Sequence, residues 1–134
     1  MNIGSVKPAV MDYNMPPATL YSEEQLKNID KSQIYHDEGA GVTQMSVEYF
    51  TKLKGKLGRI TDIRVDSDRE FSTEIYCDAG FVLLSGTNCG YGGTGPHGTV
   101  ELLKMMGFKP EMFERQVFEN KSVRINCRDK LIFW

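Results

Sequence analysis

The residues of this chain with the clearest capacity for chemistry lie in one glycine-rich segment, positions 86 to 99. Its sequence, GTNCGYGGTGPHGT, holds six glycines and three threonines in fourteen residues. Glycine at this density weakens a fold through lost backbone entropy, so a compensating gain is expected. Several backbone amides without neighbouring Cβ atoms can converge on one anion, and phosphate is the natural ligand of such a segment.

The position of the segment, between a predicted strand and a predicted helix, favours an anion site at the start of that helix. Pro96 suits the first helical position, which would leave the amides of His97, Gly98 and Thr99 without helical acceptors. Asparagine and threonine side chains add hydrogen bonds, and a tyrosine can stack on a planar ring. The predicted ligand-binding residues here are Asn88, Tyr91, Gly92, Gly93, Thr94, Gly95, His97, Gly98 and Thr99.

The segment matches no well-defined phosphate-binding template. It lacks the GxxxxGK[ST] pattern, and its glycines are not spaced as GxGxxG within a βαβ unit. A structural alternative therefore stays open, in which the segment is a long glycine-rich turn that changes the direction of the chain at a sheet edge.

Three arginines on predicted strands are the other candidate ligand contacts. Arg64, Arg124 and Arg128 come from both halves of the chain, and the last two share a strand parity if their strand runs that far. Guanidinium groups bind phosphate through paired hydrogen bonds. The alternative is that each arginine is an exposed strand residue balanced by a nearby carboxylate.

A second functional hypothesis is a small hydrolase or transferase that uses Cys89 or His97. An imidazole beside a loop thiol can activate it for attack on an acyl or phosphoryl centre. The sequence shows no third, orienting group for the pair. The two histidines, His36 and His97, lie far apart and show no recurrent ligand spacing, so we expect neither a metal site nor a cofactor.

Composition limits the class of protein. The chain has 134 residues, 40% of them hydrophobic, and a formal net charge of −2, which fits a single globular domain and disfavours duplex nucleic acid as a partner. No apolar run is long enough to cross a membrane. The three cysteines show no CxxC spacing, so we expect reduced thiols and a cytoplasmic location.

The pattern of apolar residues predicts an α+β fold with an antiparallel sheet of about five strands and two to four short helices. Residues 1–43 read as an extended N-terminal arm with a short helix around Leu26 and Ile29, and residues 44–134 as the ligand-binding part of one domain. Ser46 is the predicted cap of the next helix, which Gly55 ends. The predicted strands are 60–65, 71–77 and 81–85, followed by a C-terminal hairpin, 122–127 with 131–134.

The apolar end of the chain, residues 131–134, suggests docking either against the chain's own elements or across an interface with a second copy. We expect a homo-oligomer. The favoured function is non-catalytic binding of a small phosphate-bearing molecule of the nucleotide type, for sensing or sequestration. A pure protein–protein interaction module, with the proline-containing arm and the C-terminal end as docking segments, is the third hypothesis.

Overall fold

The computed structural model describes residues 6–8 and 33–134 of the chain. The strands of this part are β1 (Val6–Pro8), β2 (Ile34–His36), β3 (Ile60–Asp66), β4 (Thr73–Cys77), β5 (Gly80–Leu84), β6 (Ser122–Asn126) and β7 (Leu131–Phe133). The helices are α1 (Thr43–Leu53), α2 (Thr94–Met105), a 3₁₀ turn (Pro110–Met112) and α3 (Glu114–Glu119). These strands form one sheet in the order β1-β7-β6-β3-β4-β5-β2.

The sheet is mixed, which corrects the predicted antiparallel sheet. Neighbouring strands of the described sheet pair antiparallel, except that β2 pairs parallel with β5. The predicted α+β class and the C-terminal hairpin are confirmed. Strands β2 and β5 each lead into a helix, α1 and α2 respectively, and these two helices contact each other.

Strict alternation along the strands gives the sheet two different faces. Ile63, Val65 and Ile75 are at most 2% exposed and belong to a core that includes residues of the helices, such as Leu103 and Val117. The residues between them on β3 and β4 point to the opposite face, because side chains alternate along a strand. No helix of the described part covers that opposite face, so polar strand residues collect there.

A buried polar network fixes the ends of β2 and β5 to α1. The Asp37 carboxylate accepts hydrogen bonds from the Ser46 hydroxyl (2.5 Å), the Ser85 amide (2.9 Å) and hydroxyl (2.8 Å), and the Gly39 amide (2.9 Å). The Ser46 hydroxyl in turn accepts from the Gly86 amide at 2.8 Å. Helix α1 begins at Thr43, so the prediction of Ser46 as its cap was wrong.

Hydrogen bonds keep Asp37 ionised. Burial acts to raise the pKa of its carboxyl group, but the bonds from Ser46, Ser85 and Gly39 outweigh burial and hold the pKa below its ordinary value. Asp37 is 5% exposed, so its charge is balanced by these donors rather than by water.

The C-terminal strand lies inside the sheet. Strand β7 pairs with β6 on one side and with β1 on the other, and Ile132 is fully buried. The apolar end of the chain is therefore docked against the chain's own strands. The described pieces of the segment 1–43, β1 and β2, are both strands of the same sheet.

The predicted short helix near Leu26 and Ile29 lies outside the described residues. Within the described part, no helix combines the length and the apolar character needed to span a membrane.

Candidate functional site

The first half of the glycine-rich segment, residues 86–90, closes one end of the core. Thr87 and Cys89 are fully buried. The Thr87 carbonyl accepts hydrogen bonds from the hydroxyls of Ser72 and of Thr73, the latter at 2.8 Å. The Cys89 Sγ lies 3.7 Å from the Val65 carbonyl oxygen. This half of the segment thus crosses the ends of β4 and β3 and has a structural role.

Two glycines of the segment allow the amino ends of α1 and α2 to touch. A Cβ atom on Gly86 would lie 2.4 Å from the carbonyl carbon and oxygen of Val42, and one on Gly98 would lie 2.3 Å from the Thr43 methyl carbon. The Thr43 hydroxyl also donates to the Gly86 carbonyl at 2.7 Å. Close backbone packing therefore accounts for part of the glycine density, as the structural alternative proposed.

Helix α2 begins two residues earlier than the sequence suggested. It starts at Thr94 with Gly93 as its cap, so Pro96 is its third residue. The His97 amide donates to the Gly93 carbonyl at 3.2 Å, which corrects the prediction that the amides of His97, Gly98 and Thr99 lack helical acceptors. Since proline has no amide hydrogen, the helix start leaves the amides of Thr94 and Gly95 for other partners.

The predicted polar side chains at this helix start differ in their burial and in their hydrogen bonds. The Thr99 hydroxyl is buried and donates to the Asn88 carbonyl at 2.6 Å, so it is not available to a ligand. The Asn88 Oδ1 atom is buried, has no hydrogen-bond partner among the described residues, and faces Gly95, where a Cβ atom would lie 2.0 Å from it. Thr94 and His97 are exposed, and the His97 Nδ1 lies 2.8 Å from the Gly93 carbonyl.

Tyr91 and Gly92 form the most exposed part of the segment. Tyr91 is 49% exposed, and its ring lies over Gly93, where a Cβ atom would be 2.3 Å from the ring. A Cβ atom on Gly92 would meet nothing within 4 Å. This part of the predicted site faces solvent.

Arg64 and Arg124 meet on the sheet face that lies opposite the helices. They are direct neighbours in the pairing of β3 with β6, and their side chains are 46% and 48% exposed. Both line a cavity of about 250 Å³ at the end of the sheet where β3 stops and β6 begins. The cavity is lined by Arg64, Val65, Asp66, Arg69, Ser72, Glu74, Ser122, Val123 and Arg124.

We call this cavity the arginine cavity. Of its three arginines, Arg64 has the longest ion-pair distance. Arg124 contacts Asp62 at 3.2 Å and Arg69 contacts Glu74 at 2.6 Å, whereas the nearest carboxylate oxygen to Arg64, also on Asp62, is 3.8 Å away. The Arg64 guanidinium lies 5.6 Å from the centre of the Tyr76 ring. Arg64 thus carries hydrogen-bond donors that no described residue accepts.

The arginine cavity and the glycine-rich segment share a wall. Ser72 lines the cavity and donates its hydroxyl hydrogen bond to the Thr87 carbonyl. On the other side, a Cβ atom on Gly90 would lie 3.3 Å from the Cα of Lys121, the residue before Ser122. Ser72 therefore lies between the arginine cavity and the buried half of the segment, whereas Tyr91 to His97 lie at the start of α2.

Arg128 does not join this group. Strand β6 ends at Asn126, so the parity expected for Arg124 and Arg128 does not extend to the latter. Arg128 lies in the turn after β6, at the opposite end of that strand from Ser122, and its amide donates to the Asn126 side chain at 3.0 Å.

Sequence reasoning missed several residues of the arginine cavity. Asp66 and Ser122 are opposite each other in the pairing of β3 with β6, and Arg69 lies in the turn after β3. Parity within a single strand does not show that Glu74 and Arg64 share a face, because that also requires the pairing of their two strands. The missing signal is strand register, which a single sequence does not give.

Burial of the Cys89 thiol opposes the enzyme hypothesis. Burial and the nearby Asp66 carboxylate raise the pKa of Cys89 to about 11, whereas a nucleophilic thiol needs a lowered pKa and access to substrate. Burial also raises the pKa of Cys77 and of Cys127 to about 12. The His97 ring packs 4.9 Å from the ring of Phe118.

We expect Cys89 in the folded protein to resist iodoacetamide at neutral pH. Its thiol is both buried and protonated, so labelling requires unfolding. Peptide mapping by mass spectrometry, which separates Cys89 from the other two cysteines, measures its labelling rate. The same chain in concentrated guanidinium chloride is the control and should label completely. Fast labelling of Cys89 in the native protein would restore the thiol hypothesis.

Among the residues that the structure describes, no three or more His, Cys, Asp or Glu side chains are grouped to hold a metal ion. Comparison of the chain with protein-family models, curated proteins and solved structures gave no match.

Proposed function

We propose that this protein binds a small phosphate-bearing ligand of the nucleotide type, without converting it, and that the arginine cavity holds the phosphate. The observation that carries the proposal is the pairing of Arg64 with Arg124. Like charges directly opposite each other in a sheet are destabilising, and here they share a single carboxylate, Asp62. A bound phosphate would neutralise both guanidinium groups and accept their donors in pairs.

The size of the arginine cavity suggests a small ligand. Its volume of about 250 Å³ is below the ~300–1,000 Å³ of pockets that enclose drug-sized molecules. A phosphate with an attached sugar is of the right scale, and a larger group would extend outside. Tyr76 and Phe81, in edge contact at 4.8 Å between ring centres, lie on the same face and offer an aromatic surface for a base.

The start of α2, where Thr94 is exposed and Gly95 is buried, is the other predicted anion contact. Its amides on Thr94 and Gly95, with the positive end of the helix dipole, favour an anion. Asn88, Tyr91 and His97 surround this helix start. The two locations make different predictions, because Arg64 and Gly93 can be changed separately.

We expect orthophosphate, pyrophosphate or a member of a panel of mono-, di- and cyclic nucleotides to raise the melting temperature. A ligand at 100 times its Kd stabilises the fold by about 2.7 kcal/mol, which corresponds to several degrees for a domain of this size. The variant Arg64→Ala should weaken binding by about tenfold or more, because a hydrogen bond to a charged group contributes about 1.5–3 kcal/mol.

Arg128→Ala is the matched control for Arg64→Ala, since it removes the same exposed charge at the other end of β6. The control should leave the Kd unchanged. If Gly93→Val abolishes binding while Arg64→Ala does not, the ligand binds at the helix start instead. Equal affinities for Arg64→Ala, Gly93→Val and the wild type, or no stabilisation by any phosphate compound, would refute the proposed function.

Assembly into a homo-oligomer and a cytoplasmic location remain part of the proposal. The three cysteines are free thiols, which suits a reducing compartment. The apolar C-terminal end packs in the sheet of its own chain, so it no longer indicates contact with a second copy. The oligomeric state is best tested on the intact chain by sedimentation. Truncation of β7 would unfold sheet contacts whether or not the protein assembles.

A further inference from the structure

Four residues of the arginine cavity form a rectangular block on β3 and β6. Arg64 is opposite Arg124, and two residues along the same strands Asp66 is opposite Ser122. All four line the cavity. Strand geometry separates the two pairs by about 7 Å along the strands. One end of the block is therefore cationic, and the other offers a carboxylate and a hydroxyl.

The Asp66 carboxylate has an acceptor to spare. Its Oδ1 accepts from the Asp68 amide at 3.1 Å, and its Oδ2 lies 3.7 Å from the Arg69 guanidinium, beyond hydrogen-bond distance. Glu74, the other carboxylate of the cavity, is fully engaged. Its two oxygens accept from Arg69 and from the Tyr76 hydroxyl, each at 2.6 Å. Asp66 is thus the carboxylate that a ligand can use.

A carboxylate next to a hydroxyl recognises neutral hydroxyl groups of a ligand and repels a second anion. Adjacent hydroxyls of a sugar can donate together to one carboxylate, as acidic residues do to ribose in dinucleotide sites. A second phosphate placed at this end would meet the charge of Asp66, and the neighbouring cation, Arg69, is already paired with Glu74 at 2.6 Å. The block therefore selects a ligand that is anionic at one end only.

We infer that the ligand of the arginine cavity carries a vicinal diol about 7 Å from its phosphate, as in a ribose 5-phosphate unit. Arg64 and Arg124 hold the phosphate, and Asp66 with Ser122 binds the diol. This inference rests on the proposed function, since it requires that the cavity bind phosphate. It adds the chemical identity of the group attached to that phosphate.

Titration calorimetry with ribose 5-phosphate and 2-deoxyribose 5-phosphate tests the inference on the intact chain. The two probes share the phosphate and differ by one hydroxyl of the diol. The wild type should bind the ribose compound about tenfold more tightly, the effect of one hydrogen bond to a charged acceptor. Asp66→Asn, which keeps the acceptor for the Asp68 amide, should reduce that ratio to about twofold.

Asp68→Asn is the control for the variant at Asp66, because it removes a neighbouring exposed carboxylate that does not line the cavity. It should keep the tenfold ratio. Arg64→Ala should weaken both sugar phosphates equally and also keep the ratio. If Asp66→Asn fails to fold, the wild-type ratio still decides whether the protein recognises the diol.

The possible outcomes separate this inference from the proposed function. Equal wild-type affinities for the two sugar phosphates, with a loss of both in Arg64→Ala, would overturn the diol and leave the phosphate site standing. A ratio that persists in Asp66→Asn would also overturn the assignment of the diol to Asp66. Binding of neither compound, or binding that Arg64→Ala does not weaken, would refute the phosphate site itself.

Discussion

Replacing Gly86 by alanine will destabilise the fold by about 3 kcal/mol or more. The added methyl carbon would lie 2.4 Å from two backbone atoms of Val42, which cannot rotate away as a side chain can. Gly86 is also held on both sides, because its amide donates to Ser46 and its carbonyl accepts from Thr43. Overpacking in a well-packed site costs about 1–3 kcal/mol, and contact with fixed backbone places this substitution at or above the upper end.

Gly92→Ala is the matched control for Gly86→Ala, in the same segment. A methyl group at Gly92 meets nothing within 4 Å, and its backbone does not lie in the left-handed region, so the change should stay within about 0.5 kcal/mol. Urea unfolding followed by circular dichroism measures both variants. Equal midpoints for the two would show that α1 and α2 do not depend on the close approach at Gly86.

Replacing Asp37 by alanine should cost on the order of 3 kcal/mol or more at neutral pH. The change leaves the hydroxyl of Ser46 and the amides of Ser85 and Gly39 without their acceptor. The buried Ser46 hydroxyl costs about 1–3 kcal/mol when it loses its partner, and the part-buried amides of Ser85 and Gly39 add to that cost. Glu38→Ala, one residue along, removes an exposed carboxylate and should have little effect on the same urea midpoint.

The effect of Asp37 should depend on pH. Its pKa in the folded protein lies below the ordinary value of 3.8, so ionisation of Asp37 stabilises the fold above that value. This contribution is lost as the pH falls through the folded-state pKa. The difference in unfolding free energy between wild type and Asp37→Ala should therefore shrink on acidification from pH 7 to about pH 3 or below. A difference that grows on acidification would contradict an ionised Asp37.

The sequence predicted local structure where one physical rule dominates. The predicted strands 71–77 and 81–85 match β4 and β5 to within two residues at each end. The hairpin of β6 with β7 was predicted equally well. In each of these, the partner strand is close in sequence, so a short-range pattern carries the information.

The errors arose where the outcome depends on partners distant in sequence. Ser46 looks like a helix cap because serine favours that position, but Asp37 and Gly86 hold its hydroxyl inside α1. The density of glycine suggested a ligand, while at Gly86 and Gly98 it reflects contact with α1. The parallel pairing of β2 and the meeting of Arg64 with Arg124 required a register that composition does not encode.

The order of the strands also determines how the chain must search for its fold. Strands β3, β4 and β5 follow one another directly and can pair after short loops close. Pairing of β1 with β7 joins segments separated by almost the whole length of the chain. The loop-closure entropy of that last pairing is large, so we expect β1 and β7 to pair more slowly than β3, β4 and β5. The edge formed by β1 and β7 should then be the last part of the sheet to acquire protection from hydrogen exchange during refolding.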